Sequence, residues 1–194
     1  GKEDEVEAFF KFAWDKYGKI DFYFNNQGAM HAPNNFEDIT VDDFNKVVHS
    51  NFLGCFLGMK HAIRYMKQQK RGHILNTGSS SGIRPDTGFG VYSATKHACI
   101  GLTKDAAIEC GRYGIKVNVI CPGGFYTPLV EYVGTEIATR NYQIPRPVPV
   151  IINEERPGEL AMVSQIEDAV AFFANYNTSY ITGAVFSVDG GITL

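Results

Sequence analysis

Gly72-His73-Ile74-Leu75-Asn76-Thr77-Gly78-Ser79-Ser80-Ser81-Gly82 is a short apolar run stopped by a glycine- and serine-rich turn, the pattern of a buried strand that ends in a loop. Downstream, a helical pattern runs from about Tyr92 to Arg112, with Gly114 past its end. Ile115 to Cys121 then reads as a second strand, broken by Pro122-Gly123-Gly124. Two strands joined through a helix of that length pair in parallel, because parallel neighbours need a crossover of a dozen or more residues.

The alternation continues in both directions. Upstream, Val6, Phe9, Phe10, Ala13, Trp14 and Tyr17 recur at helical spacing before Gly18, and Ile20 to Phe24 reads as a strand stopped by Asn25-Asn26-Gln27-Gly28. Thr40-Val41-Asp42-Asp43 resembles a capping box, with Asp43 in place of Glu, opening a helical pattern that reaches about Gln69. Gly54 and Gly58 inside it predict close packing. Downstream, Ser164-Gln165-Ile166-Glu167 predicts a second capping box and a helix through Ala174, and Ala184 to Val188 predicts a last strand before Asp189-Gly190-Gly191. The class is α/β, a doubly wound parallel sheet.

Composition narrows the function classes. The 194 residues suit a single domain, with 44% hydrophobic and 20% charged residues, as in ordinary globular chains. A net charge of −3 argues against nucleic acid or an anionic membrane surface as principal partner and favours a small-molecule substrate. No apolar run has the length of a membrane span. Cys55, Cys99, Cys110 and Cys121 lie far apart in the chain without any Cys-x-x-Cys, which predicts buried, reduced thiols in a cytoplasmic protein. His31, His49, His61, His73 and His97 lack metal-ligand pairing, so no metal site is expected.

Six of the eight prolines fall between Pro122 and Pro157, in a segment with little regular periodicity. Ligands of open α/β sheets bind beyond the carboxyl ends of the strands, and this segment leaves from such an end. A substrate lid over about residues 124–163 is the expectation, with a plain surface loop as the alternative.

Tyr92 and Lys96 share a helix face, a spacing that chance alone could supply. Ser79, thirteen residues upstream in the turn after a strand, changes its meaning. A hydride leaves a secondary alcohol only if the hydroxyl proton is removed, and a phenol with a pKa of about 10 is a poor base at neutral pH unless an ammonium beside it favours the phenolate. Lys96 would supply that field, and Ser79 could steady the substrate oxygen.

These motifs resemble the classical short-chain dehydrogenases/reductases. The similarity rests on Asn25-Asn26-Gln27-Gly28, Asn51 in His-Ser-Asn-Phe-Leu-Gly, Asn76-Thr77-Gly78-Ser79, Tyr92-Ser93-Ala94-Thr95-Lys96, Val117-Asn118-Val119-Ile120-Cys121-Pro122-Gly123, and Tyr180-Ile181-Thr182-Gly183 with Val188-Asp189-Gly190-Gly191. The resemblance implies a Rossmann-like sheet, NAD or NADP as cofactor, and a homodimer or homotetramer. Tyr92 would be the general acid/base, and Lys96 would support it and hold the nicotinamide ribose. Ser79 would orient substrate, and Asn51 would anchor a relay water. Asn25, Asn26 and Gly28 would border the adenosine side; Pro122, Gly123, Phe125 and Thr127 would contact the nicotinamide. Ser80 or Ser81 would replace Ser79 if the turn were shifted, and Asn51 could instead be an ordinary helical amide. Gln27 stands where the family has a small residue.

The resemblance spans Gly1 to Leu194, the later three-quarters of a typical member, and the family's Gly-rich phosphate turn has no counterpart. The expectation is therefore a part of a longer enzyme, lacking about 60 N-terminal residues at roughly 30 per βαβ unit. The implied reaction interconverts a secondary alcohol and a ketone. Phe125, Tyr126, Leu129, Val130, Tyr132, Val133 and Tyr142 in the lid suggest an apolar or cyclic substrate: a steroid, a cyclic ketone or a 3-oxoacyl thioester, with Arg140, Arg146 and Arg156 available to a carrier's phosphates. The alternative is a non-catalytic scaffold of the same fold.

Overall fold

In the computed structural model, which describes residues 2–140, 160–175 and 180–194, four parallel strands lie in the order β1-β2-β3-β4. They are β1 (Phe22–Asn25), β2 (Gly72–Thr77), β3 (Ile115–Pro122) and β4 (Val185–Val188), connected through α1 (Glu3–Tyr17), α2 (Val41–Val47), α3 (Gly54–Gln69), α4 (Gly90–Cys110), α5 (Pro128–Arg140) and α6 (Ser164–Ala174). Alternation along the strands sends side chains to two cores. Ile74, Val117, Val119 and Cys121 pack with Phe10 of α1, Met59 and Met66 of α3 and Cys99 and Cys110 of α4. Leu75 and Ile120 face the opposite way, onto Phe173 of α6. Helices therefore cover both faces, as a doubly wound sheet requires.

Several boundaries differ from the sequence reading. β1 starts at Phe22 because the Ile20 backbone is taken by a side chain: Ile20 N–H donates to Gln69 Oε1 at 3.1 Å, and Gln69 Nε2 donates to Ile20 O at 2.7 Å. The pattern from Thr40 to Gln69 is three segments, α2, a π-helical turn over Val48–Leu53 and α3. Thr40 does cap α2, its Oγ1 accepting from Asp43 N–H at 3.0 Å while its hydroxyl donates to the Asp43 carboxylate at 2.8 Å. The second capping box is not formed. Ser164 is the first residue of α6, the preceding Val163 carries no capping side chain, and Gln165 Oε1 accepts instead from Met162 N–H at 2.9 Å.

The proline-rich segment contains a helix that its composition hid. Thr127 starts α5, its Oγ1 accepting from Val130 N–H at 3.3 Å and its carbonyl from Glu131 N–H at 3.0 Å, with Pro128 as first helical residue, where a missing N–H costs nothing. Phe125 bridges to Ala161, and Tyr126 N–H to Ala161 O and Ala161 N–H to Gly124 O close the base of the segment at 2.9 and 3.0 Å. Tyr142, Arg146 and Arg156 lie outside the described residues.

The four thiols are buried, but they are not all far apart in space: Cys55 Sγ and Cys99 Sγ are 3.3 Å from each other between α3 and α4. Among the described residues no helix is long and apolar enough to cross a membrane.

Candidate active site

The carboxyl ends of β1, β2 and β3 open onto a cavity with a volume of about 770 Å³. Asn26 and Gly28 line it after β1, Thr77 to Ser81 after β2, and Pro122 to Phe125 with Thr127 after β3; Tyr92 and Lys96 reach it from the first turns of α4. Such crevices are where an open α/β sheet binds its ligands. Ser79, Tyr92 and Lys96 are each less than a tenth exposed.

Each side chain is held by its neighbours. Lys96 Nζ donates to Thr77 O at 2.8 Å, which leaves two of its three N–H groups for the cavity, and it stands 5.6 Å from the Tyr92 ring centroid. Ser79 Oγ accepts from Ser81 N–H at 3.1 Å, so its own proton remains to be donated. Gly82 lets this turn lie against α4, since a Cβ there would sit 2.9 Å from Lys96 C and O. The turn after Ser79 and the helix that carries Tyr92 and Lys96 thus pack closely because a glycine leaves out the side chain between them.

Asn51 lies behind the cavity wall, in the π-helical turn, the kind of insertion that often marks functional sites. Its Oδ1 accepts from Ala29 N–H at 2.7 Å, and its Nδ2 donates to Ala29 O at 2.9 Å and Thr95 Oγ1 at 3.2 Å. Thr95 in turn donates to Tyr92 O at 2.8 Å, linking Asn51 to the turn that carries the phenol. A Cβ on Gly28 would stand 3.6 Å from Lys96 Nζ and 3.7 Å from Asn51 Oδ1, so the two polar groups meet over that glycine.

Asn25 sits differently from Asn26 and Gly28. The Asn25 side chain does not reach the cavity; it is 3% exposed and consumed inside the core. Its Nδ2 donates to Cys55 O at 3.1 Å and Asn76 Oδ1 at 2.8 Å, and its Oδ1 accepts from Tyr23 OH at 3.0 Å. As the last residue of β1 it points to the α3 side, while Asn26 points to the cavity and takes the Thr77 hydroxyl at 2.8 Å.

Sequence reasoning missed Met30, Asp86, Val170 and Ala171, which also line the cavity, and read Glu167, another lining residue, only as a helix start. Helical periodicity could have flagged Val170, one turn after Ile166; nothing local singles out Asp86. Burial raises the Cys121 thiol, behind Gly78, to about 11, so it stays protonated near neutrality. Among the described residues no cluster of His, Cys, Asp and Glu is placed to hold a metal.

A family model described as Enoyl-(Acyl carrier protein) reductase matches residues 1–193. Levodione reductase of Leifsonia aquatica is 36% identical over 190 residues, which make up 97% of this chain and 70% of that protein. A crystal structure of levodione reductase matches with a TM-score of 0.89 at 34% identity, over 99% of this chain and 74% of that one. ElxO with NADP bound gives a TM-score of 0.84 at 31% identity, over 98% and 74% of the two chains. The 3-ketoacyl-(acyl-carrier-protein) reductase from Brucella melitensis complexed with NADH gives 0.86 at 29%, over 100% and 75%.

Proposed function

Given that this chain belongs to the short-chain dehydrogenase/reductase family and is an NAD(P)-dependent oxidoreductase of the alcohol/ketone type, we propose that Tyr92, Lys96, Ser79 and Asn51 carry its proton chemistry on a small apolar or cyclic substrate. The observation that carries this reading is the shared cavity: one basic and two hydroxyl side chains converge on it from two elements that Gly82 lets touch.

The donor set suits a nicotinamide nucleoside. Two free N–H groups of Lys96 match a ribose diol, and Thr127, whose oxygen already accepts from Val130, keeps its proton for an acceptor. Lys96, Pro122, Gly123, Phe125 and Thr127 would hold that end of the cofactor, with the Tyr92 ring, which Tyr92→Phe retains, beside it and Asn26 and Gly28 on its other side. Bound there, the cofactor supplies or takes up the hydride.

The protein's own groups manage the proton. In reduction, the Tyr92 hydroxyl gives its proton to the carbonyl oxygen, and Ser79 donates a hydrogen bond to the charge that develops there. The Lys96 ammonium faces the phenol and offsets the negative charge it acquires. Asn51 Oδ1 keeps one lone pair after Ala29, and a water held between it and Lys96 over Gly28 would return the proton from solvent. In alcohol oxidation the same steps run backwards.

The apolar lid residues Phe125, Leu129 and Val130 line the cavity and support an apolar or cyclic substrate body, within which a steroid, a cyclic ketone and a 3-oxoacyl thioester all fall. A homodimer or homotetramer belongs to the same reading, supported by Phe52, Phe56 and Ile108, which the helices leave exposed. So does a cytoplasmic location, supported by the buried, unpaired thiols. The test is ketone-dependent oxidation of NADH or NADPH: the protein should turn over and Tyr92→Phe should not, with cofactor affinity kept. Full activity in that variant would remove Tyr92 from its role.

A further inference from the structure

The loop between Gly82 and α4 carries two charged side chains with different employment. Arg84 is committed to the fold, its guanidinium donating to Ile192 O at 2.8 Å. Asp86 instead lines the cavity. Its carboxylate accepts from the Ser81 hydroxyl at 2.5 Å, and its N–H donates to Ser93 Oγ at 3.3 Å. Ser81 N–H is also the donor to Ser79 Oγ, so Ser81 joins the carboxylate to the serine of the site, while Ser93 holds the Asp86 backbone against the first turn of α4, in a cavity that Ser79 and Tyr92 also line.

The backbone there does not need the carboxylate. Gly82 N–H to Ser79 O at 2.8 Å and Ile83 and Arg84 N–H to Ser80 O at 3.0 Å close the turn, and Ser93 N–H to Phe89 O at 2.9 Å starts α4. An ionised carboxylate offers about four acceptor sites, and Ser81 fills one. Asp86 is only partly buried, so the remaining sites are open to a donor on a molecule bound in the cavity that it lines.

We propose that Asp86 is a specificity-determining residue that accepts a hydrogen bond from a hydroxyl or protonated amine on the substrate, at a carbon remote from the reacting carbonyl. The preferred substrate is then a hydroxy- or amino-substituted ketone, or the corresponding diol or amino alcohol, on a compact apolar frame. This rests on the alcohol/ketone reading of the same cavity. Discrimination follows because a site built around a hydrogen bond rejects an analogue that leaves its polar group unmet.

The test compares 4-hydroxycyclohexanone and 4-aminocyclohexanone with 4-methylcyclohexanone, by ligand-observed NMR titration of the protein with NAD or NADP present, for wild type, D86N and D86A. Thermal unfolding of the variants verifies the fold. Wild type should bind the polar probes at least about tenfold more tightly than the methyl probe. D86A should bind all three alike, and D86N should lose its preference for the amine. Equal binding by wild type, no binding of any probe, or a preference that survives in D86A overturns the proposal. Turnover separates the two readings. Equal reduction of all three ketones leaves the function standing and removes the role of Asp86, whereas an Asp86-dependent binding preference without reduction of any ketone supports that role and removes the proposed chemistry.

Discussion

The Lys96 ammonium and the Asn51 amide oxygen converge on Gly28, each within 4 Å of the point where a side chain there would begin. Gly28 is not among the glycines with left-handed backbone, so alanine is conformationally admissible. Its methyl would occupy the space assigned to the relay water. Gly28→Ala should lower kcat about tenfold or more with an unchanged unfolding midpoint, read by steady-state kinetics and urea titration; unchanged kcat would empty that position of a role.

Lys96→Met should remove both the charge facing Tyr92 and the bond to Thr77 O. Turnover should fall by about 10²–10⁴, and cofactor affinity should fall with it, because the ribose donors are lost. Tyr92→Phe should lose turnover alone. Kd for NADH or NADPH, followed by fluorescence, distinguishes the two variants, and equal affinities would contradict the division of labour.

Asn51→Ala strands the Ala29 N–H and C=O, so beyond its kinetic effect it should destabilise the fold by about 1–3 kcal/mol. Urea midpoints at neutral pH measure this. A loss of activity without any loss of stability would show that Ala29 finds other partners.

His73 ties acid stability to the sheet. Burial and the nearby Lys116 ammonium lower it from 6.5 to about 4, and its Nε2 faces Asn118 Nδ2 at 2.9 Å. Above pH 6.5 the folded and unfolded chains both hold it neutral, and its contribution is complete. As pH falls from 6.5 towards 4, the unfolded chain takes up a proton that the folded one refuses, and stability declines by up to about 3 kcal/mol. His73→Gln should flatten the pH dependence of the urea midpoint across that window; an equally steep profile would assign the acid lability to other groups.

Two glycines in neighbouring helices should respond oppositely to alanine. At Gly58 a Cβ would lie 2.5 Å from Tyr23 Oη and 2.9 Å from Asn25 Oδ1, so Gly58→Ala should cost about 1–3 kcal/mol. At Gly101, in α4, nothing lies within 4 Å, and Gly101→Ala should add about 0.5–1 kcal/mol. Thermal unfolding of the pair is sufficient, and matching shifts would refute the packing at Gly58.

The strands and helices could be read from residue order because their causes are local: apolar runs that end in glycine, apolar residues at helical spacing, and Thr40 ahead of Asp43. The pairing of Tyr92 with Lys96 was equally legible, since four positions on one helix fix their common face. α5 was missed because prolines mask periodicity, although Thr127-Pro128 is a start signal.

Asn25 and Asn26 show where local reading ends. They are adjacent and chemically identical, yet strand alternation buries one against α3 and turns the other to the cavity. Asp86 likewise carries no local mark; its place on the cavity wall follows from Ser81 and Ser93, residues on either side of it in the chain whose positions depend on how the turn after β2 meets α4. Residue order settled the periodic elements and the helix-borne pair, whose geometry is repeated every turn. Which polar groups share the cavity depended on contacts between elements distant in the chain, and these exist only once the sheet and its two helical layers have closed.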